Sequence, residues 1–576
     1  ADGDVCRLNE APYTEEKEYL SLPVVFGFDD CGDLFRSFCR YVEEKAGEKE
    51  PLRIYCDWGL HDDTGGDNVV LTAEMTERNI GHIAGLNERT GVGFGYYLMD
   101  AYWFEEKYPP YQSFKPSTFP EGIGGSVRSL QEKGMKFGLW FDLNMMHSHL
   151  AGMEEYSSLL GNGALCFACK KIASAMEEAI ARQIEENSVS LLKLDFAWFE
   201  CGNPAHGHSV DRAESKQKSV AAFIAMIGRL KKKYPFLKVL CYNGWTTSLD
   251  WIGSVERREG YAVSPYWAHV VDYVYCGDPR PSEIPSEKLS DSVCYYTDSM
   301  IRVFLESGFP LRSIDDHGVM IGGTNTIYYL KGEPFRLGLL MNVMRGTGKL
   351  HLYGDPSCLG EGDEEYLAFA GKLFGKICSE KMKATPVGGD PRKGETYGYA
   401  VCGDGYGYVV AVNPTPRETT ETIFFDGVGG QICRSRVILR NGVLGEEEER
   451  EERGCVSFRL SANGYALARY GTVAEKGKGE RVILCPGEKL ILSVKGKRKL
   501  TLSFFAGNKP VRTTYGYPEG IAVTADGGKE ILPVTDKPVW SGKSWLCFRT
   551  VGRNTVEVGN GGKEPLALTY ETEEEE

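Results

Sequence analysis

The segment LLKLDFAWFE, residues 191–200, places a lysine and a carboxylate at the end of an apolar run. Lys193 and Asp195 are two residues apart, so both side chains lie on the same face of a β-strand. The apolar residues before them suit a strand that is buried on both faces, as in parallel sheets covered by helices. The segment therefore predicts a buried parallel strand that ends in charged residues.

Short apolar runs of this kind recur from about residue 50, and amphipathic helical patterns such as 126–134, 171–187 and 219–234 lie between most of them. Strands that alternate with helices pair in parallel, and eight units over about 325 residues fit an α/β fold, a (β/α)8 TIM barrel with insertions. The eight runs are LRIYCDW (52–58), FGYYLMDAYW (94–103), KFGLWFD (136–142), SLLKLDF (190–196), FLKVLCYN (236–243), HVVDYVYCGD (269–278), FPLRSIDDHG (309–318) and KLHLYGDP (349–356).

Polar side chains follow these runs at the points where the strands end, and in such barrels the chemistry sits at the C-terminal ends of the strands. Each acid could instead cap the next helix, and both interpretations stay open. The pattern favours a functional site at this face. The residues are Asp57, Asp100, Asp142, Asp195, Asn243, Asp278, Asp315, Asp316 and Asp355.

The remaining chain divides by composition. After about residue 380 Gly, Thr and Val rise and alternating patterns replace helical ones, which predicts a C-terminal antiparallel β-sandwich over 380–475. Residues 476–576 are expected to form a further small β unit with an acidic tail, and the barrel is assigned to 50–379. Residues 1–49 form an N-terminal segment, expected to be helical over 33–47 and to be the remnant of a larger N-terminal β domain.

Charge and composition exclude several classes of function. The net charge of -15 argues against a nucleic-acid partner or an anionic membrane surface. No apolar run reaches the roughly 18 residues of a membrane span, and no glycine-rich loop fits a nucleotide. The 17 cysteines are odd in number and scattered, which favours free thiols and a cytoplasmic location. Secretion stays open, because a signal peptide could have been removed.

A metal site is a weaker alternative. Cys166 and Cys169 form one CxxC pair, and the histidine pairs at 147–149 and 206–208 could join Cys201 and Asp211 around a metal ion. A single CxxC and His-x-His pairs are weak signals, since loop histidines can bind a polar substrate or face solvent. The sequence therefore predicts no metal and no cofactor.

Several blocks resemble clan D glycoside hydrolases, above all family 36, which contains α-galactosidases and α-N-acetylgalactosaminidases. The most specific block is FKPSTFPEGIGGSVRSLQEKGMKFGLWFDLNMM (114–146). KLDFAW (193–198) is similar to the strand-4 signature of that family, YYLMDAYWFEE (96–106) to its strand-2 motif, and LGLLMNVMRGTGKLHLYGDP (337–356) to its last barrel unit. NGYALARYG (463–471) resembles the end of its sandwich.

The resemblance implies a retaining exo-α-glycosidase for terminal galactose-type sugars on an oligosaccharide or glycoconjugate, with homo-oligomers allowed. Asp195 would be the nucleophile and Asp278 the general acid and base, with Asp272 as the rival acid. Lys193 would keep Asp195 ionised. The remaining expected substrate contacts are Asp100, Asp142, Asn243 and Trp198, together with Trp58, Trp103 and Trp245 as ring-stacking indoles.

Departures from the family pattern affect residues expected to contact the sugar, whereas both expected catalytic aspartates are present. The second strand-2 aspartate is replaced by Ala101, and an asparagine after the nucleophile by Ala197. CYNGWTTSLDW (241–251) stands where the family has a glycine-rich loop. An α-N-acetylgalactosaminidase and a non-catalytic carbohydrate-binding relative therefore stay open. The terminal sugar, the aglycone and the choice between hydrolysis and transglycosylation are not determined by the sequence.

Overall fold

The computed structural model of the protein describes most of the chain between residues 34 and 573. All statements below concern these residues. They are 34–60, 70–107, 109–143, 154, 159–161, 164–197, 199, 201–242, 264–277, 289–322, 329–425, 432–447, 449–473, 482–493, 499–506, 509–510, 520–526, 529–530, 545–549, 555–563 and 565–573.

The first half of the chain alternates strands with helices. The strands are β1 Leu52–Cys56, β2 Tyr96–Met99, β3 Lys136–Asp142, β4 Leu160–Gly161, β5 Ala164–Leu165, β6 Val189–Asp195, β7 Lys238–Cys241, β8 Tyr273–Tyr275, β9 Ile314–Asp315, β10 Val319–Ile321, β11 Tyr329–Leu330 and β12 Lys349–Gly354. The helices are α1 Leu34–Ala46, α2 Ala73–Thr90, α3 Gly124–Glu132, α4 Lys170–Asn187, α5 Arg212–Lys233, α6 Trp267–Val270, α7 Leu289–Glu306, α8 Glu333–Met344 and α9 Asp363–Ser379.

These strands form one parallel sheet in the order β11-β10-β12-β1-β2-β3-β6-β7-β8-β9, while β4 and β5 pair separately. β9 pairs with β8 and β10 pairs with β12. Only three residues separate β9 from β10, so they are two pieces of one kinked strand. That strand contacts both neighbours and completes the ring of a (β/α)8 TIM barrel, as predicted.

Every second side chain along the strands points inward, and these side chains fill the inside of the barrel. Leu191, Leu240, Tyr273 and Tyr353 belong to a buried cluster that is separate from the larger core between strands and helices. On β6, Lys193 and Asp195 continue the inward-facing series that starts at Leu191. The chain therefore carries both charged side chains into the C-terminal mouth of the barrel.

Helix caps in this region follow ordinary rules. Thr72 accepts a hydrogen bond from the backbone N–H of Met75 at the start of α2, and Gly91 ends that helix in the left-handed region with φ of 66°. Asp211 caps α5 by accepting from the backbone N–H of Glu214 at 3.0 Å. Asp211, a candidate metal ligand in the sequence, is thus a helix cap in the structure.

The second half is antiparallel, as expected for β-sandwich domains. One sheet has the order β13-β14-β15-β21-β17-β18, with β19 on β17, and a second pairs β16 with β20. Their apolar faces share one core. The strands are β13 Lys383–Gly388, β14 Tyr397–Cys402, β15 Tyr406–Val412, β16 Thr419–Phe424, β17 Ile432–Arg440, β18 Val443–Leu444, β19 Arg450–Arg453, β20 Cys455–Leu460 and β21 Tyr465–Val473.

A further pair of sheets follows with its own core, in the orders β22-β30-β24-β25, with β28 on β24, and β23-β29-β26-β27. The exact domain boundaries stay a prediction. No helix among the described residues is long and apolar enough to cross a membrane. The strands are β22 Val482–Leu484, β23 Lys489–Ser493, β24 Lys499–Ala506, β25 Lys509–Pro510, β26 Ile521–Ala525, β27 Lys529–Glu530, β28 Trp545–Arg549, β29 Thr555–Asn560 and β30 Leu566–Glu573.

Candidate active site

Asp195 is the last residue of β6 and lies buried at the mouth of the barrel. The indole N–H of Trp140 donates to its Oδ2 at 3.1 Å, and the backbone N–H of Phe196 donates to its Oδ1 at 2.9 Å. Burial raises the pKa of Asp195, while the Lys193 ammonium and the Trp140 hydrogen bond act in the opposite direction. Both carboxylate oxygens are therefore held in place by donors that favour the ionised form.

Lys193 links Asp195 to the neighbouring strand ends. Its ammonium donates to Oδ2 of Asp100 at 2.8 Å, and both side chains are buried. Burial opposes the charge on Lys193, yet the combined effects of Asp100, Cys56 and Asp195 outweigh it and raise the pKa of the lysine. The Cys56 thiol donates to the same Asp100 oxygen at 3.2 Å. The lysine is thus a permanent cation between two carboxylates.

Aromatic rings also lie close to the ammonium of this lysine. Its ammonium lies 4.3 Å from the ring centroid of Tyr242 and 5.5 Å from that of Tyr353. The two tyrosine hydroxyls form a short hydrogen bond with each other. The ring of His317 stacks on Tyr353 with centroids 4.6 Å apart. Rings at these distances stabilise the ammonium by cation–π attraction and keep its position fixed.

A second buried carboxyl group lies next to Asp100. Asp57 accepts from the backbone N–H of Asp100 at 2.7 Å and from the hydroxyl of Tyr97 at 3.2 Å. Complete burial raises the pKa of Asp57 to about 8. This carboxyl group is therefore mostly protonated at neutral pH, so the mouth of the barrel carries less negative charge than the sequence implies.

Three large residues at strand ends adopt positive φ angles. They are Tyr102 after β2 with φ of 70°, Phe196 after β6 with 51° and His317 after β9 with 68°. Such angles cost about 1–3 kcal/mol for non-glycine residues and concentrate at functional sites. Their common location at the C-terminal mouth of the barrel independently marks this face as the site.

The structure brings together some of the expected substrate contacts. Asp142 is the register partner of Asp195 on the adjacent strand and is fully buried, and its backbone is bonded to the Tyr111 hydroxyl. Trp58 is half-buried just past the end of β1. It packs against the cluster inside the barrel and against the core between strands and helices. Their roles toward a sugar stay predictions.

The expectation for Trp103 is wrong. Its ring is completely buried among Phe104, Tyr111, Phe114 and Phe141, and its indole N–H donates to the carbonyl of Trp140 at 2.8 Å. No face of the indole is available for stacking on a sugar. The aromatic pattern around it indicated packing, which the sequence alone could not separate from binding.

Four expected residues lie outside the described part of the chain: Asp278, Asn243, Trp245 and Trp198. The rival acid Asp272 is described. It lies before β8, at the opposite end of the strand from the site, where it accepts from the backbone N–H of Val239 at 2.8 Å and pairs with Lys231 at 2.9 Å. Asp272 thus has a structural role.

Potential metal ligands also gather on this face, where the sequence left a metal site as the weaker alternative. Within the described residues, one group of histidine, cysteine and acidic side chains has metal-binding geometry: Cys166, Cys201, His206 and His208. Asp211 caps a helix instead. The His-x-His pair at 147–149 lies outside the described residues.

Solved structures with a similar fold include a family 36 α-galactosidase of Geobacillus stearothermophilus bound to 1-deoxygalactonojirimycin, with a TM-score of 0.53, 11% identity, and coverage of 76% of this chain and 59% of that one. The chain has the fold of family 36 glycoside hydrolases. An α-galactosidase of Lactobacillus brevis gives a TM-score of 0.54 at 12% identity, covering 76% and 58% of the two chains.

A variant of the Geobacillus enzyme crystallised with stachyose gives a TM-score of 0.51 at 12% identity, covering 76% of this chain and 58% of that one. This chain thus spans less than two thirds of the length of these family 36 enzymes. No family model and no curated protein sequence matches the chain. At this identity the comparisons establish the fold.

Sequence reasoning missed several residues of the site that the family 36 fold brings together. Trp140 is the register partner of Lys193, and strand alternation places Tyr242 beyond Leu240 and Tyr353 beyond His351. Alternation and the barrel were predicted from the sequence, but which side chains of neighbouring strands lie next to each other was not. Those missed are Cys56, Trp140, Tyr242, His317 and Tyr353.

Proposed function

We propose that the protein is a retaining exo-α-glycosidase that hydrolyses terminal α-linked galactose-type sugars of oligosaccharides or glycoconjugates. The observation that carries the proposal is the setting of Asp195. It lies at the mouth of a barrel, with one oxygen held by an indole N–H at 3.1 Å, the other by a backbone N–H at 2.9 Å, and a lysine at its side.

In this proposal Asp195 attacks the anomeric carbon and forms a covalent glycosyl-enzyme. Asp278 protonates the leaving oxygen and then removes a proton from the water that hydrolyses the intermediate. Lys193 and Trp140 stabilise the carboxylate before attack. Because Lys193 already donates to Asp100 at 2.8 Å, the pair is also positioned to bind a sugar hydroxyl at the floor of the site.

The choice of sugar is the open part of the proposal. The polar residues that family 36 has at two positions are Ala101 and Ala197 here, and both alanines are buried. They therefore offer no hydrogen bond to the substituents that distinguish galactose from its analogues. This favours α-N-acetylgalactosaminides as the second candidate substrate, with the same mechanism.

The test is release of nitrophenol from a panel of nitrophenyl glycosides carrying α-galactose, α-N-acetylgalactosamine, β-L-arabinopyranose, α-glucose and α-xylose. We expect turnover of one galactose-type sugar with retained anomeric configuration by NMR. Asp195→Asn and Asp278→Asn should each lower kcat by at least about a thousandfold. Asp272→Asn is the matched control, because Asp272 lies at the other end of the barrel, and it should keep activity.

Azide provides an independent test of the nucleophile. In Asp195→Gly a cavity replaces the carboxylate, and azide should restore turnover of an activated glycoside and yield the inverted glycosyl azide. A folded protein that binds galactose without turnover in every assay would instead identify a carbohydrate-binding relative. Loss of activity in Asp272→Asn, together with full activity in Asp278→Asn, would mean that Asp272 rather than Asp278 is the general acid and base.

A further inference from the structure

Two cysteines and two histidines converge beside the barrel mouth. Cys166 lies between β5 and α4, and Cys201, His206 and His208 lie on the segment that follows β6. Their sulfur and nitrogen donor atoms all lie within 4.8 Å of one another, and all four residues are buried. We infer that these residues bind one structural Zn²⁺ ion.

The distances match a tetrahedral zinc site. Zn–S bonds of about 2.3 Å and Zn–N bonds of about 2.0–2.1 Å place sulfur and nitrogen ligands about 3.6 Å apart. Sγ of Cys166 lies 3.4 Å from Nε2 of His208, and Sγ of Cys201 lies 3.3 Å from Nδ1 of His206. The donors thus already occupy positions close to the edges of a tetrahedron.

Hydrogen bonds around the ligands orient them. Nδ1 of His208 lies 2.6 Å from the carbonyl of Ser209, which can only accept, so the proton is on Nδ1 and the lone pair on Nε2 faces Cys166. The backbone N–H of Asn203 donates to Sγ of Cys201 at 3.4 Å, which stabilises a thiolate. Metal-bound histidines usually have such an outer partner on the second ring nitrogen.

Charge and ligand type favour zinc over other ions. Two thiolates and two neutral imidazoles balance the charge of Zn²⁺, so a neutral centre results that can be buried at low cost. Binding releases the two thiol protons to solvent, and no oxidation is involved. Two sulfur and two nitrogen donors in a tetrahedron are poor ligands for Mg²⁺ or Ca²⁺, which prefer oxygen.

The location indicates a structural role. The site joins two segments of the chain. One precedes α4, and the other follows β6 and begins directly after Asp195. Phe199 lies between Asp195 and Cys201 and packs against Phe167, with ring centroids 6.5 Å apart. Four protein ligands close the coordination shell, so the ion would hold the loop that follows Asp195 in place and would take no part in chemistry.

Metal analysis of the full-length protein tests the inference. We expect one zinc per chain by mass spectrometry of the metal content, and X-ray absorption with two sulfur and two nitrogen neighbours. Cys201→Ser and His208→Gln should each lower bound zinc at least tenfold. Cys169→Ser is the matched control, because Cys169 is close in sequence but outside the ligand set, and it should keep zinc.

Wild-type protein gives a readout that does not depend on variant folding. Exchange of the bound ion for Co²⁺ should produce the strong visible bands of tetrahedral cobalt and a thiolate charge-transfer band. Wild-type protein that stays metal-free after incubation with Zn²⁺ would overturn the inference. So would a Cys166–Cys201 disulfide in non-reduced peptides, or loss of zinc in Cys169→Ser.

Discussion

Asp195 shows how single residues at the barrel mouth are tuned by their neighbours. Burial raises the pKa of its carboxyl group, whereas Lys193 and the Trp140 indole favour the charged form. Burial raises the pKa of Asp57 to about 8, although hydrogen bonds from the Asp100 backbone and Tyr97 act in the opposite direction. Burial thus raises the pKa of both aspartates, and at Asp195 the neighbouring ammonium and indole N–H oppose this effect.

Trp140→Phe should shift the pH dependence of the proposed reaction. Removing the indole N–H takes away a hydrogen bond that favours the ionised form of Asp195, so its pKa rises further. We expect the acidic limb of kcat/KM to move to higher pH, with a rate loss of about tenfold at the optimum. Trp267→Phe, in a separate aromatic cluster, is the control. An unchanged acidic limb would contradict the role of Trp140.

Asp57→Asn should change how stability depends on pH. The folded pKa of about 8 lies above the ordinary aspartate pKa of 3.8, so between these values the folded protein keeps a proton that the unfolded chain releases. The wild-type free energy of unfolding therefore falls as pH rises through this window, by up to about 1.4 kcal/mol per pH unit from this group.

Asparagine has no such proton, so the variant lacks this slope and becomes relatively more stable between about pH 5 and pH 8. Urea unfolding at intervals of one pH unit measures the difference. Parallel stability curves for the two proteins would show that Asp57 is ionised in the folded state.

At the scale of elements, the kinked seventh strand decides how the barrel closes. β9 ends at Asp315 and β10 begins at Val319, and the residues between them include His317 and Gly318 with φ of 68° and 81°. The kink lets one stretch of chain pair with β8 on one side and β12 on the other. It also places His317 against Tyr353.

Gly318→Ala should destabilise the protein strongly. A Cβ there would lie 2.3 Å from the backbone carbonyl oxygen of His351, and the residue has φ of 81°. Gly122→Ala is the matched control, because Gly122 has φ of 67° but no atom within 4 Å of an added Cβ. We expect a loss of about 1 kcal/mol for Gly122→Ala and at least about 3 kcal/mol for Gly318→Ala in chemical unfolding. Equal losses of unfolding free energy in the two variants would mean that β9 and β10 can move apart to make room for the added Cβ.

At the scale of the whole molecule, a buried polar network joins the barrel to the sandwich. Arg345, at the end of α8, donates to Asp298 of α7 at 2.7 and 3.1 Å and to Asp316 at 3.1 Å. The hydroxyls of Tyr397 and Tyr399, both on β14, donate to the two oxygens of Asp298 at 2.8 Å each. The carboxylate of Asp298 therefore has partners in both halves of the molecule.

The double variant Tyr397→Phe, Tyr399→Phe should weaken this connection. Each hydroxyl donates to a charged and buried acceptor, a bond worth about 1.5–3 kcal/mol. We expect scanning calorimetry to show a lower Tm and a separation of sandwich and barrel unfolding. Tyr408→Phe on β15 is the control, since its ring lies near Lys376 rather than Asp298. A single unshifted transition in the double variant would contradict this coupling.

The sequence by itself determined the order and type of the elements. Apolar runs between helical patterns specified the barrel strands, as in 136–142, where β3 has the same bounds, and alternation specified the antiparallel sheets. These signals are local, because periodicity reflects which faces of each element are buried. The position of Asp195 at a strand end follows for the same reason.

Only the tertiary structure decided which side chains meet. Asp195 contacts Trp140, and Lys193 contacts Asp100 and Tyr242. These partners are 49 to 93 positions apart in the sequence, and the pairing of neighbouring strands brings them together. The burial of Trp103 and the convergence of Cys166 with His208 are likewise products of packing. A sequence pattern fixes the face of each strand or helix, whereas ring closure and loop packing determine distances between elements.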